Sequence, residues 1–279
     1  MNCVIIGEEK SPDLVQIKRA FLEKGFDKVP FIKISKIGLF TAGNKTKIVV
    51  GKINFSKYDS VFLKVGPQFT QFVEPFLAEL AEKGIYCQLK PESFYISSNK
   101  PFMFSVLASR GIPIPKTSIV PSSELIEQAS KGFKFPQVFK TFVGQKKNQQ
   151  IIVESERGLK STIKSFKSKF DAVTIQEYLQ EDLIYCVVVG KEILGLKRKW
   201  NSDNFEHMAK MVSTSLSGED SETAFRACRT VGFDIALVRL IGGKVIDIDP
   251  IIDFDRFNKP LGKSIESMVA AHYSEKVNQ

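Results

Sequence analysis

Four aspartates, Asp247, Asp249, Asp253 and Asp255, crowd the end of an apolar stretch in an otherwise basic chain. Residues 235–241 and 244–248 each read as a short strand. The Gly242-Gly243 pair between them tolerates positive φ and predicts a tight hairpin turn. Residues two apart on a strand share a face, so Asp247 and Asp249 project together. Two carboxylates so placed repel each other unless a cation lies between them. A hard divalent ion with oxygen ligands, typically Mg2+ bridging to phosphates, is the common solution. The competing reading is a solvated acidic strand end paired with lysines.

The elements that must carry this hairpin follow from hydrophobic periodicity. Residues 2–6 form an apolar strand and residues 12–24 an amphipathic helix closed by Gly25. Strands at 31–34, 47–50, 61–65 and 85–88, with a helix at 69–83, predict a parallel α/β unit over about the first ninety residues. Gly7-Glu8-Glu9-Lys10 follows the first strand in place of a G-x-G-x-x-G turn, which argues against a dinucleotide site. Lys100-Pro101 then opens a helix that Gly111 closes, and Ile112-Pro113-Ile114-Pro115 is forced to be extended. Beyond it come a helix at 122–131, a strand at 137–142 carrying Lys140, a polar loop at 144–150 and a strand at 151–153. That order suggests a flap over phosphates. A helix at 157–169, a strand at 173–179, a hairpin of 185–189 with 192–199, a polar and mobile loop at 201–217, and helices at 221–230 and 263–273 complete the reading.

Composition bounds the function. With 279 residues and 43% apolar content the chain can bury a core in two or three subdomains. A formal charge of +9 calls for an anionic partner: nucleotide phosphates or an acidic substrate. No arginine-rich arm and no aromatic-interleaved RNA motif is present, so nucleic acid is not the expected partner. The four cysteines are scattered without a C-x-x-C pair, which argues against zinc or a disulfide framework. With no signal peptide and no apolar run of spanning length, the expected location is cytoplasmic, with no membrane partner. The sequence leaves the oligomeric state open.

The succession of motifs resembles the ATP-grasp superfamily, most closely its RimK/LysX-like amino-acid ligase branch. Four pieces carry the resemblance: Asn99-Lys100 with the helix and the Gly111-Ile112-Pro113-Ile114-Pro115 run after it, Pro136 to Lys140 before the flap, Gln176-Glu177-Tyr178-Leu179, and Val245 to Asp249. The resemblance implies an α/β chain with α+β lobes: an N-terminal α/β subdomain at 1–96 and an ATP-grasp domain at 97–279. That domain would divide into a central lobe at 113–178 and a C-terminal lobe at 179–279. Lys100 and Lys140 would contact ATP phosphates, with Lys146 beside them in the flap. The bland alternative for such lysines is ordinary solvation, but Lys140, between Phe139 and Phe142, is costly to bury without a partner. Gln176, Glu177, Tyr178 and Leu179 would hold the adenine, with Glu181 or Asp182 on the ribose. Asp247 and Asp249 would hold Mg2+. Lys140 and Arg198 would serve the chemistry, in which a carboxylate attacks the γ-phosphate and an amine captures the acyl-phosphate. The implied partners are ATP and an acidic small molecule or a carrier protein.

Three departures from the family pattern stand out. Arg239 occupies the position of an expected acidic metal ligand, and an arginine cannot ligate Mg2+. A three-residue turn would set Arg239 opposite Asp247; a two-residue turn would send it to the other face. The flap keeps Gly144 alone, beside Lys146 and Lys147. Tyr185 stands where a substrate-binding arginine is expected, although Lys197, Arg198 and Lys199 keep a basic strand end. These residues support an ATP-dependent carboxylate–amine ligase or, as the alternative, a catalytically inactive nucleotide- or partner-binding module on the same fold.

Overall fold

A computed structural model describes residues 1–51, 53–143, 146–166, 172–203 and 206–279, leaving out the side chains of 142–143 and 146–149. The N-terminal part holds β1 (Cys3–Gly7), α1 (Pro12–Glu23), β2 (Phe31–Lys33), β3 (Gly38–Ala42), β4 (Lys45–Val49), β5 (Ser60–Lys64), α2 (Thr70–Glu82), β6 (Tyr86–Cys87) and α3 (Pro91–Ser98). β2, β1, β5 and β6 lie side by side in that order and all pair in parallel. The strand expected at 47–50 corresponds to β4, which pairs antiparallel with β3 in a separate exposed hairpin and does not join the parallel sheet; β3 and α3 are absent from the sequence reading.

The central part holds α4 (Lys100–Ser109), β7 (Thr117–Val120), α5 (Ile126–Ser130), β8 (Gln137–Val143), β9 (Lys146–Val153), α6 (Glu156–Ser165) and β10 (Ala172–Glu177). β7, β10, β8 and β9 form an antiparallel sheet. The C-terminal part holds β11 (Leu183–Val189), β12 (Glu192–Arg198), β13 (Trp200–Asn201), β14 (Glu206–His207), β15 (Val212–Thr214), α7 (Gly218–Val231), β16 (Ile235–Ile241), β17 (Lys244–Asp249), α8 (Phe254–Leu261) and α9 (Ile265–Val277). Its sheet runs β15-β12-β11-β16-β17. Described residues of the expected loop at 201–217 therefore include three short strands.

Side-chain alternation explains how the parts adhere. Val4 and Ile6 of β1 share one core with Phe76 and Leu80 of α2 and with Cys186 and Val188 of β11. The intervening Cys3 and Ile5 enter a second core with Ile17 and Phe21 of α1, Tyr273 of α9 and Tyr185 and Val187 of β11. Strands buried on both faces must be apolar without interruption, which is how β1 and β11 read. One face of the central sheet packs an apolar core, with Phe139 and Ile175 against Leu159 of α6 and Ile126 of α5. Lys140, next to Phe139, therefore turns to the opposite face.

The β11–β12 hairpin turns at Gly190, whose φ is +60° and whose added Cβ would fall 2.3 Å from Nδ1 of His272. Gly190→Ala is expected to cost about 2 kcal/mol through left-handed strain and this clash. A urea midpoint equal to that of the parent protein would show that the turn and His272 together relax to relieve both.

Candidate active site

The acidic strand end is built by a β-bulge. β16 and β17 turn over Gly242 and Gly243, at φ +56° and +71°, pairing Ile241 with Lys244 and Leu240 with Val245. The register then shifts, and Arg239 pairs with Asp247. The two-residue turn alone would have separated these side chains. The extra residue, Ile246, restores them to one face. Arg239 donates from Nη1 to Oδ2 of Asp247 at 2.6 Å.

A second cation meets the same carboxylate. Asn99 caps α4 by accepting from the Phe102 N–H, which fixes Lys100 at the first helical position. Lys100 Nζ lies 2.8 Å from Oδ1 of Asp247 and donates to the Ile248 carbonyl at 2.6 Å. Lys140 approaches from the central sheet, with Nζ 3.5 Å from the Ile246 carbonyl and 5.5 Å from the centroid of the Phe104 ring. Burial lowers the Lys140 ammonium to about 8; Asp247 opposes the shift, and the charges of Lys100 and Arg239 add to it. Burial pushes the Asp247 carboxyl up, but Lys100 and Arg239 outweigh it and hold the group below the ordinary carboxylate range.

From Lys140 a cleft of about 220 Å³ runs between the central and C-terminal sheets. Val138, Ile152, Ile241 and Ile246 give it apolar walls, and Gln176, Glu177, Tyr178 and Leu179 line the crossing between the two sheets. Gln176 donates from Nε2 to Thr117 Oγ1 at 2.9 Å. Glu177 Oε1 accepts from the Lys116 N–H at 2.9 Å and from Lys244 Nζ at 2.5 Å, so this side chain ties the two sheets together. Burial acts to raise the Glu177 carboxyl, but the Lys244 and Lys116 contacts prevail and lower it.

Trp200 and His207, which the sequence reading leaves without a role, line the cleft too. Tyr178 meets Trp200 edge-on at 5.6 Å, and Trp200 meets His207 at 5.2 Å. His207 Nε2 lies 2.9 Å from the Glu181 carbonyl. The signal that could have found this wall is the single tryptophan of the chain, placed at the end of the 192–199 strand.

Two expected site residues point elsewhere. Asp182 accepts from the Trp200 N–H at 2.9 Å and pairs with Lys197 at 3.3 Å, outside the residues lining the cleft. Arg198 gives its guanidinium to the carbonyls of Met208 and His207, at 2.5 and 2.8 Å, and so pins the segment carrying His207. Tyr185 is buried in the second core. The side chain of Lys146 lies outside the described residues.

The expected Mg2+ pair is not assembled. Both oxygens of Asp247 are occupied by cations, and Oδ1 of Asp249 accepts from the Ile251 N–H at 2.9 Å. Asp253 caps α8 by accepting from the Arg256 N–H, and Asp255 accepts from Gln16. Among the described residues no group of three or more His, Cys, Asp or Glu is placed to hold a metal. These aspartates serve as ion-pair partner, turn and helix cap, which does not fit a magnesium held by Asp247 and Asp249.

The family model described as a RimK-like ATP-grasp domain matches residues 97–269. A probable alpha-L-glutamate ligase of Cellvibrio japonicus (strain Ueda107) is 23% identical over 234 residues, covering 78% of this chain and 77% of the relative. One from Haemophilus influenzae (strain ATCC 51907 / DSM 11121 / KW20 / Rd) is 24% identical over 227 residues, covering 77% and 75%. Among solved structures, the ATP-grasp ligase PsnB complexed with minimal precursor, Mg and ADP superposes with a TM-score of 0.77 at 14% identity, covering 99% of this chain and 98% of that one. The macrocyclase MdnC from Microcystis aeruginosa MRC, bound with precursor peptide MdnA, gives 0.72 at 12% identity, covering 98% and 99%. At these identities the structural likeness speaks for the fold.

Proposed function

Because the chain belongs to the RimK-like ATP-grasp family, we propose that it is an ATP-dependent carboxylate–amine ligase working through an acyl-phosphate. The observation that carries this reading is a single cleft joining an apolar, aromatic-walled crossing at Gln176, Glu177, Tyr178 and Leu179 to Lys140, beyond whose ammonium lies the Lys100–Asp247–Arg239 cluster. The base of ATP fits the first region and its phosphates the second. A substrate carboxylate oxygen attacks the γ-phosphorus, the bond to the β–γ bridging oxygen breaks, and ADP departs. An amine then attacks the acyl carbon, loses a proton and expels inorganic phosphate. The lysines neutralise charge as it moves onto the bridging oxygen, which is electrostatic and positional catalysis. The carboxylate of Asp247 keeps Lys100 and Arg239 oriented.

Glutamate or a carboxyl-bearing carrier or peptide is the proposed substrate class. The names of the relatives and the net charge of +9 support it. Lys197 and Arg198 are committed to Asp182 and to backbone carbonyls, so the basic strand end adds less than its charge suggests. No helix among the described residues is long and apolar enough to cross a membrane. A cytoplasmic location fits this and the consumption of ATP.

Release of ADP and phosphate with glutamate and an amine acceptor tests the reading. Nucleotide binding without turnover across a panel of acidic and peptide substrates would instead support the inactive-module reading, which the Arg239–Asp247 pair favours. The lone tryptophan supplies a direct readout. ADP is expected to change Trp200 emission, and Trp200→Ala to weaken ADP by about fivefold, roughly 1 kcal/mol of aromatic contact. Unaltered emission at saturating ADP, with binding detected by calorimetry, would place the base away from this wall.

A further inference from the structure

We propose that Arg239 supplies the positive charge that a divalent ion would otherwise bring to Asp247, so that the nucleotide's phosphates bind this site directly and without a metal. The inference rests on the nucleotide reading above and extends it to the chemistry of the bound species. Metal-free nucleoside di- or triphosphate is the ligand class.

Three observations carry it. First, the carboxylate that a metal would need is taken on both oxygens, by Lys100 at 2.8 Å and Arg239 at 2.6 Å. The Arg239 contact exists because the chain inserts Ile246 as a bulge; without it, Arg239 would face away. Second, three cations gather around one carboxylate. Lys100, Arg239 and Lys140 against Asp247 leave a local excess of positive charge beside the end of the cleft that Lys140 lines. Crowded ammonium and guanidinium groups disfavour one another unless an anion sits among them, and a polyphosphate supplies that charge. Third, the neighbouring acids are oriented by local contacts: Oδ1 of Asp249 accepts from the Ile251 N–H and Oδ1 of Asp253 caps α8. A guanidinium remains charged at any working pH and offers a planar fork of donors to phosphate oxygens. It can therefore stand in for a metal's charge, though not for its coordination geometry.

Calorimetric titration of the full chain with a non-hydrolysable ATP analogue, in EDTA and in excess MgCl2 at matched ionic strength, decides the matter. The expected dissociation constants agree within about threefold. Binding seen only with Mg2+, or tightened about 100-fold by it, would overturn the inference while leaving the nucleotide reading intact. Absence of binding in either buffer would overturn both. Arg239→Asp places two carboxylates face to face. It is expected to weaken binding in EDTA by about tenfold or more and to recover with Mg2+. Should that variant fail to fold, Arg239→Gln takes its place: it must lose about tenfold in EDTA. Affinity in EDTA that either folded variant retains in full would refute the assignment.

Discussion

Replacing Asp247 with asparagine is expected to do two opposite things: lower folding stability by about 3 kcal/mol and tighten metal-free nucleotide binding by about tenfold. The stability loss follows from what the carboxylate does in the folded chain. Among the described residues it is the anion that Lys100 and Arg239 share, with Lys140 close by. Removing one member of a buried ion pair leaves uncompensated charge, which costs about 3–5 kcal/mol in full burial. The side chains of Lys100, Asp247 and Arg239 are 20%, 22% and 31% exposed, which places the effect at the low end. The pH dependence has a definite sign. The Asp247 carboxyl is held below its ordinary 3.8. Its contribution is complete above that value and is lost as pH falls through the lower, folded value. The asparagine variant lacks this component of acid unfolding. The gain in affinity has the same cause, because the site's positive excess rises by one charge. A metal-holding Asp247 predicts the reverse: loss of nucleotide binding in Mg2+ and no gain in EDTA. Urea unfolding at pH 7 and calorimetry in EDTA check the two halves independently. Unchanged stability would mean that the ion-pair cluster is solvated in solution.

Much of this arrangement is legible in the residues, and what escapes does so for physical reasons. Gly242-Gly243 announces its turn, because few other pairs accept two positive φ values, and both glycines adopt them. Lys100-Pro101 marks the start of α4, and alternation along β8 places Lys140 opposite the buried Phe139. The bulge at Ile246 carries no local signal. It is favoured by partners distant in sequence: the Pro113 carbonyl accepting from the Val245 N–H and Lys140 reaching the Ile246 carbonyl. The choice between a two- and a three-residue turn is therefore too narrow, since a two-residue turn plus a bulge gives the pairing expected of the longer turn. Trp200 and His207 escape for a related reason. Their strands are two residues long, too short for periodicity to register; Arg198 holds the second through the carbonyls of His207 and Met208, and Asp182 holds the Trp200 N–H. The ion pairs that Asp247 makes with Lys100 and Arg239 escape because side-chain type records what a carboxylate can do, not which neighbour reaches it first.

Lys140→Met is expected to cut kcat/KM for ATP by about 100- to 1,000-fold while raising folding stability by about 2 kcal/mol. The loss is that of one preorganised cation at the phosphates, the magnitude typical of removing a single transition-state donor. The gain arises because the fold holds an ammonium at a cost: burial brings it from 10.5 to about 8, and Asp247 only partly opposes this. A lowered lysine means that the native state binds its proton less well than the unfolded chain does. The penalty is therefore complete below pH 8 and is relieved as pH rises from about 8 towards 10.5. Methionine, similar in length and uncharged, removes the penalty at pH 7 and keeps the packing over Phe104. The same titration shapes activity. If the charged form binds phosphate, kcat/KM falls about tenfold per pH unit above 8, whereas kcat breaks only at the higher pH where the enzyme–nucleotide complex itself loses the proton. Lys140→Arg, always charged, should abolish that break between pH 7 and 10 even if its longer fork lowers the plateau. A stability gain without loss of activity would remove Lys140 from the phosphate site. An activity loss with a pH profile unchanged between parent and Lys140→Arg would assign the break to another group, leaving Lys140 a role in position alone.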